Sequence, residues 1–140
     1  MKSLFKSMAL FLLVFAIMSC AGLTREQTNQ WLNSINGSSD INMTGKWDAG
    51  GMVTGGWGEG NFIQEGRYFS GTLGMYNVDG VVSGKEVYMA ITSGSRAYYT
   101  ARLRQFADGT ITGKAVENTI IDEKEFQNAA SYLISLKRMK

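Results

Sequence analysis

Proline and histidine are absent from this 140-residue chain, cysteine occurs once, and the formal charge is only +2. Without histidine there is no Ser-His or Cys-His nucleophilic pair, no imidazole general acid and no imidazole metal ligand. A single cysteine closes no disulfide within the chain, so an oxidising compartment offers no staple. The excess charge comes from Lys2 and Lys6 alone, and the remainder carries 12 basic against 12 acidic residues. That balance gives no electrostatic footprint for nucleic acid. Long apolar runs are also scarce. The longest, Met8 to Met18, has eleven residues, whereas a membrane-spanning helix needs about 20.

What that run does suit is the apolar segment of an export signal, preceded by the positive Lys2 and Lys6. It ends in "AIMSCAG", residues 16 to 22, which holds the lone Cys20. Here "IMSC" resembles the lipobox of bacterial lipoproteins, with aliphatic Ile17 three residues before the cysteine and small Ser19 directly before it. The resemblance implies that the Cys20 thiol takes a diacylglycerol and that the Ser19–Cys20 bond is cut. In many bacteria the new amine is acylated as well, and several acyl chains on one residue anchor a protein durably where one chain does not. The expected organisation is a cleaved signal at 1–19, a lipidated anchor and short tether at 20–23, and a single β-rich domain at 24–140. The implied location is the bacterial cell envelope, with the membrane as partner through Cys20. Ala21, standing where an aspartate would retain the protein at the inner membrane, implies the outer membrane, facing the periplasm or the cell surface, if the organism has two.

Glycine takes over the turns that proline does not make: 16 of the 17 glycines fall between Gly37 and Gly113, interleaved with aromatic and β-branched residues. That mixture reads as strands with tight turns and bulges, not as disorder. Residues 24–35, "TREQTNQWLNSI", predict a short helix, with Thr24 and Gln27 at capping-box spacing. After the break "NGSSD" the period becomes two. Ile41, Met43, Gly45 and Trp47 alternate with polar residues, as do Ala97, Tyr99, Ala101 and Leu103. "NFIQ", "RYFSGTL", "MYNVDGVV", "EVYMAIT" and "TITGKAV" complete the set, separated by turns at Glu65-Gly66, Ser83-Gly84-Lys85, Ser93-Gly94-Ser95 and Asp108-Gly109. The expected fold is mainly β: one antiparallel meander of about seven strands, a small closed or partly closed barrel, with the short N-terminal helix and a C-terminal amphipathic helix. That second helix is expected over Asp122 to Met139, where Phe126, Ala130, Leu133, Ile134 and Leu136 share a flank and the end charges suit the helix dipole. An open sheet with this helix laid across it satisfies the same periodicity.

"TGKW", Thr44 to Trp47, resembles the G-x-W signature on the first strand of calycins, the lipocalin, fatty-acid-binding-protein and avidin group. In those barrels the tryptophan packs across the closed end under an arginine from a late strand. Gly45 and Trp47 match the motif, and Arg102 or Arg104 would supply the arginine.

Catalysis finds little support. The carboxylates are scattered, and none sits with a second in apolar sequence that would drive their pKa values apart. The glycine-rich "GGWGEGNF", 55 to 62, lacks the Gly-Lys-Ser/Thr ending and following helix of a phosphate loop. It reads as a bulged strand or a lip carrying Trp57. "NVDG" lacks the alternating acidic ligands of a calcium loop. Arg96, Arg102 and Arg104 with Tyr98 read as a solvated strand face that discourages edge pairing. No cofactor, metal or nucleic-acid partner is expected. The expected activity is that of a lipid-anchored, non-enzymatic structural or interaction module touching another envelope protein. The alternative is a carrier holding an apolar or lipid-like molecule inside the barrel, with Trp47, Trp57, Tyr88, Tyr99 and Arg102 as candidate contacts. A carboxylate-based hydrolase comes last.

Overall fold

A computed structural model describes residues 22–121 and 130–140. Cys20, the signal segment and residues 122–129 lie outside the described residues. The chain runs through helix α1 (Arg25–Asn33), β1 (Gly45–Asp48), a 3-10 turn (Met52–Thr54), β2 (Glu59–Glu65), β3 (Tyr68–Leu73), β4 (Tyr76–Ser83), β5 (Glu86–Ser93), β6 (Arg96–Gln105), β7 (Ile111–Glu117) and β8 (Ser131–Arg138). Each strand pairs antiparallel with the next, and β8 returns to β1, closing an eight-stranded up-and-down barrel. Closure leaves no sheet edge unpaired.

The helix begins where the capping spacing places it. The Thr24 hydroxyl accepts the Gln27 amide at 3.2 Å, and the Gln27 side chain accepts the Thr24 amide at 2.9 Å. The seven alternating segments all become strands, and the four expected turns fall between β2 and β3, β4 and β5, β5 and β6, and β6 and β7.

The C-terminal helix expected over Asp122 to Met139 is corrected over its second half, its first half, 122–129, lying outside the described residues. Residues 131–138 form β8, an eighth strand. Tyr132, Ile134 and Leu136 share the register of the inward-facing Ala115, Gly113 and Ile111 on β7. Outward-facing Leu133 is exposed and apolar, which masks the period-two signal and makes Leu133–Ile134–Leu136 look helical. Closure decides the outcome: without β8, both β1 and β7 would present unpaired backbone.

The barrel interior is one cluster, including Trp47, Phe62, Phe69, Leu73, Val78, Met89, Ile91, Leu103, Ile111, Ile134 and Leu136, all at 3 % exposure or less. These large side chains fit because small ones face them: Phe69 sits opposite Gly80, Phe62 opposite Gly71, and Leu103 opposite Gly113. Large-against-small pairing is how a narrow barrel is filled. A second cluster lies outside the wall. There α1 lays Leu32 on Val81 and Ala90, flanked by Trp31, Ile35 and Tyr88. Arg25 holds the helix start to β4 through Asp79, at 2.7 and 2.9 Å.

Gly71 shows how tight the wall is. A Cβ placed there would stand 1.9 Å from the Asn61 carbonyl oxygen of β2. Backbone cannot swing aside as a side chain can. Gly71→Ala is therefore expected to lower unfolding stability by about 1–3 kcal/mol, read as a reduced urea midpoint. An unchanged midpoint would contradict this packing of β2 on β3.

Candidate functional site

The two ends of the barrel differ in chemistry. At one end the chain entering β1 crosses the opening, with Ile41 and Met43 buried beneath it. Gln64 clamps this plug: its Oε1 accepts the Met43 amide at 2.7 Å and its Nε2 donates to the Ile41 carbonyl at 3.0 Å. Trp47 is fully buried above, its indole N–H donating to the Met43 carbonyl at 2.9 Å. The Arg138 guanidinium lies 4.2 Å from the Trp47 ring centroid. It also donates to the Thr44 carbonyl at 2.9 Å and to the Asn42 carbonyl. Gly45 lets the arginine pass, since a Cβ there would stand 3.3 Å from Nη1 and its φ of +125° disfavours any other residue. This end is sealed.

The arginine over Trp47 is thus Arg138 of β8, not Arg102 or Arg104 of β6. Trp47 pairs with Arg138 in register, whereas Arg102 pairs with outward-facing Tyr88. In the sequence Arg138 reads as a charge in the last turn of the expected helix, which hides it as a partner for Trp47.

The other end carries aromatics. Trp57, from the connection between β1 and β2, turns inward, and its indole N–H donates to the Leu133 carbonyl at 2.9 Å. Its ring meets Tyr99 edge-on at 5.0 Å and Tyr76 at 6.4 Å. Tyr99 meets Tyr132 at 5.7 Å, and Tyr76 meets Tyr98 at 6.0 Å. The β5–β6 register shifts between Ile91 and Thr92, so that Tyr99 faces Ile91 while Ala97 faces Thr92. Such a bulge re-aims a side chain at a barrel rim. Burial, helped by nearby Tyr76 and Glu117, pushes the Tyr99 phenol above its ordinary value of 10.0.

Of the candidate contacts, Trp57 and Tyr99 come together in this mouth. Trp47 belongs to the sealed end. Tyr88 and Arg102 lie on the outer wall, because Val87 and Met89 take the inner positions of β5. There Tyr88 donates to Glu86 at 2.7 Å and packs edge-on against Trp31 of α1, while Arg102 bonds the other Glu86 oxygen at 2.9 Å. The Tyr88 hydrogen bond, reinforced by Arg102, holds the Glu86 carboxyl below its usual range. Tyr76, Tyr132 and Glu117 complete the mouth and were not singled out from sequence. Their signal was positional, each being the inward residue at the end of its strand. Among the described residues, no three acidic or sulfur side chains are grouped to hold a metal.

Comparison with protein-family models, with curated proteins and with solved structures finds no match to this chain.

The raised Tyr99 pKa has a sign. The neutral phenol is favoured in the fold, so its contribution is present below pH 10 and is lost as pH rises through the raised folded value. The urea midpoint should fall above pH 10, and should fall less steeply in Tyr99→Phe. Equal slopes for the two proteins would contradict burial of this phenol.

Proposed function

We propose that this protein is a lipid-anchored, non-enzymatic lipoprotein of the bacterial envelope, and that its barrel is a filled interaction module. The observation that carries the module reading is the interior. Trp47, Phe62, Leu73, Met89, Ile91, Leu103, Ile111, Ile134 and Leu136 occupy the inward positions with almost no exposure, where a carrier needs room for its cargo. Among the described residues the ion-paired carboxylates lie on the outer wall: Asp79 with Arg25, Glu86 with Arg102, and Glu59 with Lys46. That arrangement supports a structural role for them.

The anchor reading rests on the lipobox resemblance at Cys20. Support comes from where the folded contacts start. Leu23 donates to the Asn118 side chain at 3.1 Å and accepts from the Ala97 amide at 3.0 Å, three residues after Cys20. Folded contacts that start at Leu23 suit a short-tethered lipoprotein.

We read the barrel as calycin-like. Gly45 and Trp47 on the first strand, with Arg138 from the last strand over the indole, are the elements that support the likeness. The carrier reading retains one favourable observation, the aromatic mouth of Trp57, Tyr76, Tyr99 and Tyr132.

Two mass measurements test these readings. Expressed in a bacterial host, the chain should lose residues 1–19 and gain a diacylglycerol-bearing Cys20, while Cys20→Ser stays unprocessed; an unmodified Cys20 would overturn the anchor. Native mass spectrometry of the purified protein before and after organic extraction should show no extractable companion mass. A discrete extractable mass would favour the carrier.

A further inference from the structure

We propose that the aromatic end of the barrel docks onto the lipid surface, mouth towards the membrane, an orientation that rests on the anchor reading at Cys20. Four observations at one rim converge. First, the connection between β1 and β2 and the turn between β3 and β4 lift bare apolar side chains into solvent. Val53 is fully exposed and Met75 is 84 % exposed, with Met52 beside them against Gly58 and Gly74. No charged residue occurs in either connection, 49–58 or 74–75.

Second, Trp57, Tyr76, Tyr98, Tyr99 and Tyr132 form a band just behind these tips. Aromatic rings with one polar edge settle at the level of lipid headgroups. Third, Leu133, 67 % exposed, continues the apolar surface on β8, joined to the tips through the Trp57 hydrogen bond. Fourth, the chain leads back towards Cys20 from the same rim. Gly22 lies near Asn118 and Arg96, and Leu23 is bonded to both Asn118 and Ala97. Cys20 is two residues further on, at most about 8 Å by Cα spacing.

The positions around the rim then fix the orientation. The apolar tips belong to the β1–β2 and β3–β4 connections, while the anchor leaves beside β6 and β7, across the mouth. An anchor alone lets a domain tumble. Anchor and tips on opposite sides of one rim both reach lipid only when the mouth faces the bilayer. Arg96, exposed at the start of β6 with its guanidinium 4.9 Å from the Tyr98 ring, stands where lipid phosphates would lie.

The sealed end supplies the control. It exposes Phe106 and Met139, at 56 % and 45 %. In the free molecule Met75 is the more exposed methionine, so it should oxidise faster than Met139. The test is hydroxyl-radical footprinting of the full chain, recovered in processed form from bacteria and placed on phosphatidylethanolamine–phosphatidylglycerol vesicles. Each residue's rate is divided by its rate in the urea-unfolded chain. Docking reverses the expected order, with Met52 and Met75 about fivefold or more slower than Met139 and Phe106 unprotected. Protein that floats with vesicles yet oxidises fastest at Met75 would overturn the docking and leave the anchor standing. Protection at Phe106 and Met139 would overturn it in favour of the sealed end. Protein that does not float, with Cys20 unmodified, would overturn anchor and docking together.

Discussion

β1 is the shortest strand of the barrel, and it meets β8 only across Trp47–Arg138 and Asp48–Lys137. A ladder that brief is a weak place to close a cylinder, because few backbone bonds hold the two ends of the meander together. Arg138 makes up the difference. Its planar guanidinium covers the Trp47 indole and reaches two carbonyls of the chain entering β1, while the Met139 amide bonds the Lys46 carbonyl at 2.9 Å. Lysine offers one ammonium in place of this fork and plane, and could not serve all three partners at once. The large buried tryptophan, the glycine that admits the arginine and the final strand thus form one unit.

Sealing one end shapes the rest of the molecule. With Ile41, Met43 and Gln64 closing the floor, the interior fills upward through paired large and small residues, and the inward-facing aromatic groups that keep partial exposure, Trp57, Tyr76 and Tyr99, stand at the far rim. Helix α1 adds nothing to the interior. It covers Val81 and Ala90 on the outer wall, and its capped start is held at the rim by Arg25 with Asp79 and by the Arg25 amide with the Ser95 carbonyl. The polarity of the barrel, sealed floor against aromatic rim, is therefore a consequence of how closure is achieved.

Much of this was legible in the residues. Period-two alternation from Ile41 to Glu117 placed seven strands, and glycine turns placed their connections. Thr24 with Gln27 placed the helix. Gly45 and Trp47 implied a sealed end only through their resemblance to the calycin signature. What was not legible came from long-range pairing. Residues 131–138 carry an exposed Leu133 that blurs their alternation, and only the demand of β1 and β7 for partners makes them a strand. With that strand went Arg138 and Tyr132. Tyr88 and Arg102 show the opposite error. Tyr88 sits on an interior-looking strand, yet a single step of register puts it on the outer wall, and Arg102 pairs with it there on the solvated face that its alternation with Ala101 and Leu103 already indicates. The mouth itself, gathering Trp57, Tyr76, Tyr99 and Tyr132 from four separate segments, exists only after closure.

Whether Arg138 holds the seam is read from amide hydrogen exchange in Arg138→Met against the parent protein. The variant keeps an apolar stem and loses the guanidinium. The amides of Trp47, Asp48 and Lys137 to Met139 should then lose protection about tenfold more than those of the β4–β5 ladder. Equal protection in both proteins, or a loss spread evenly around the barrel, would contradict it.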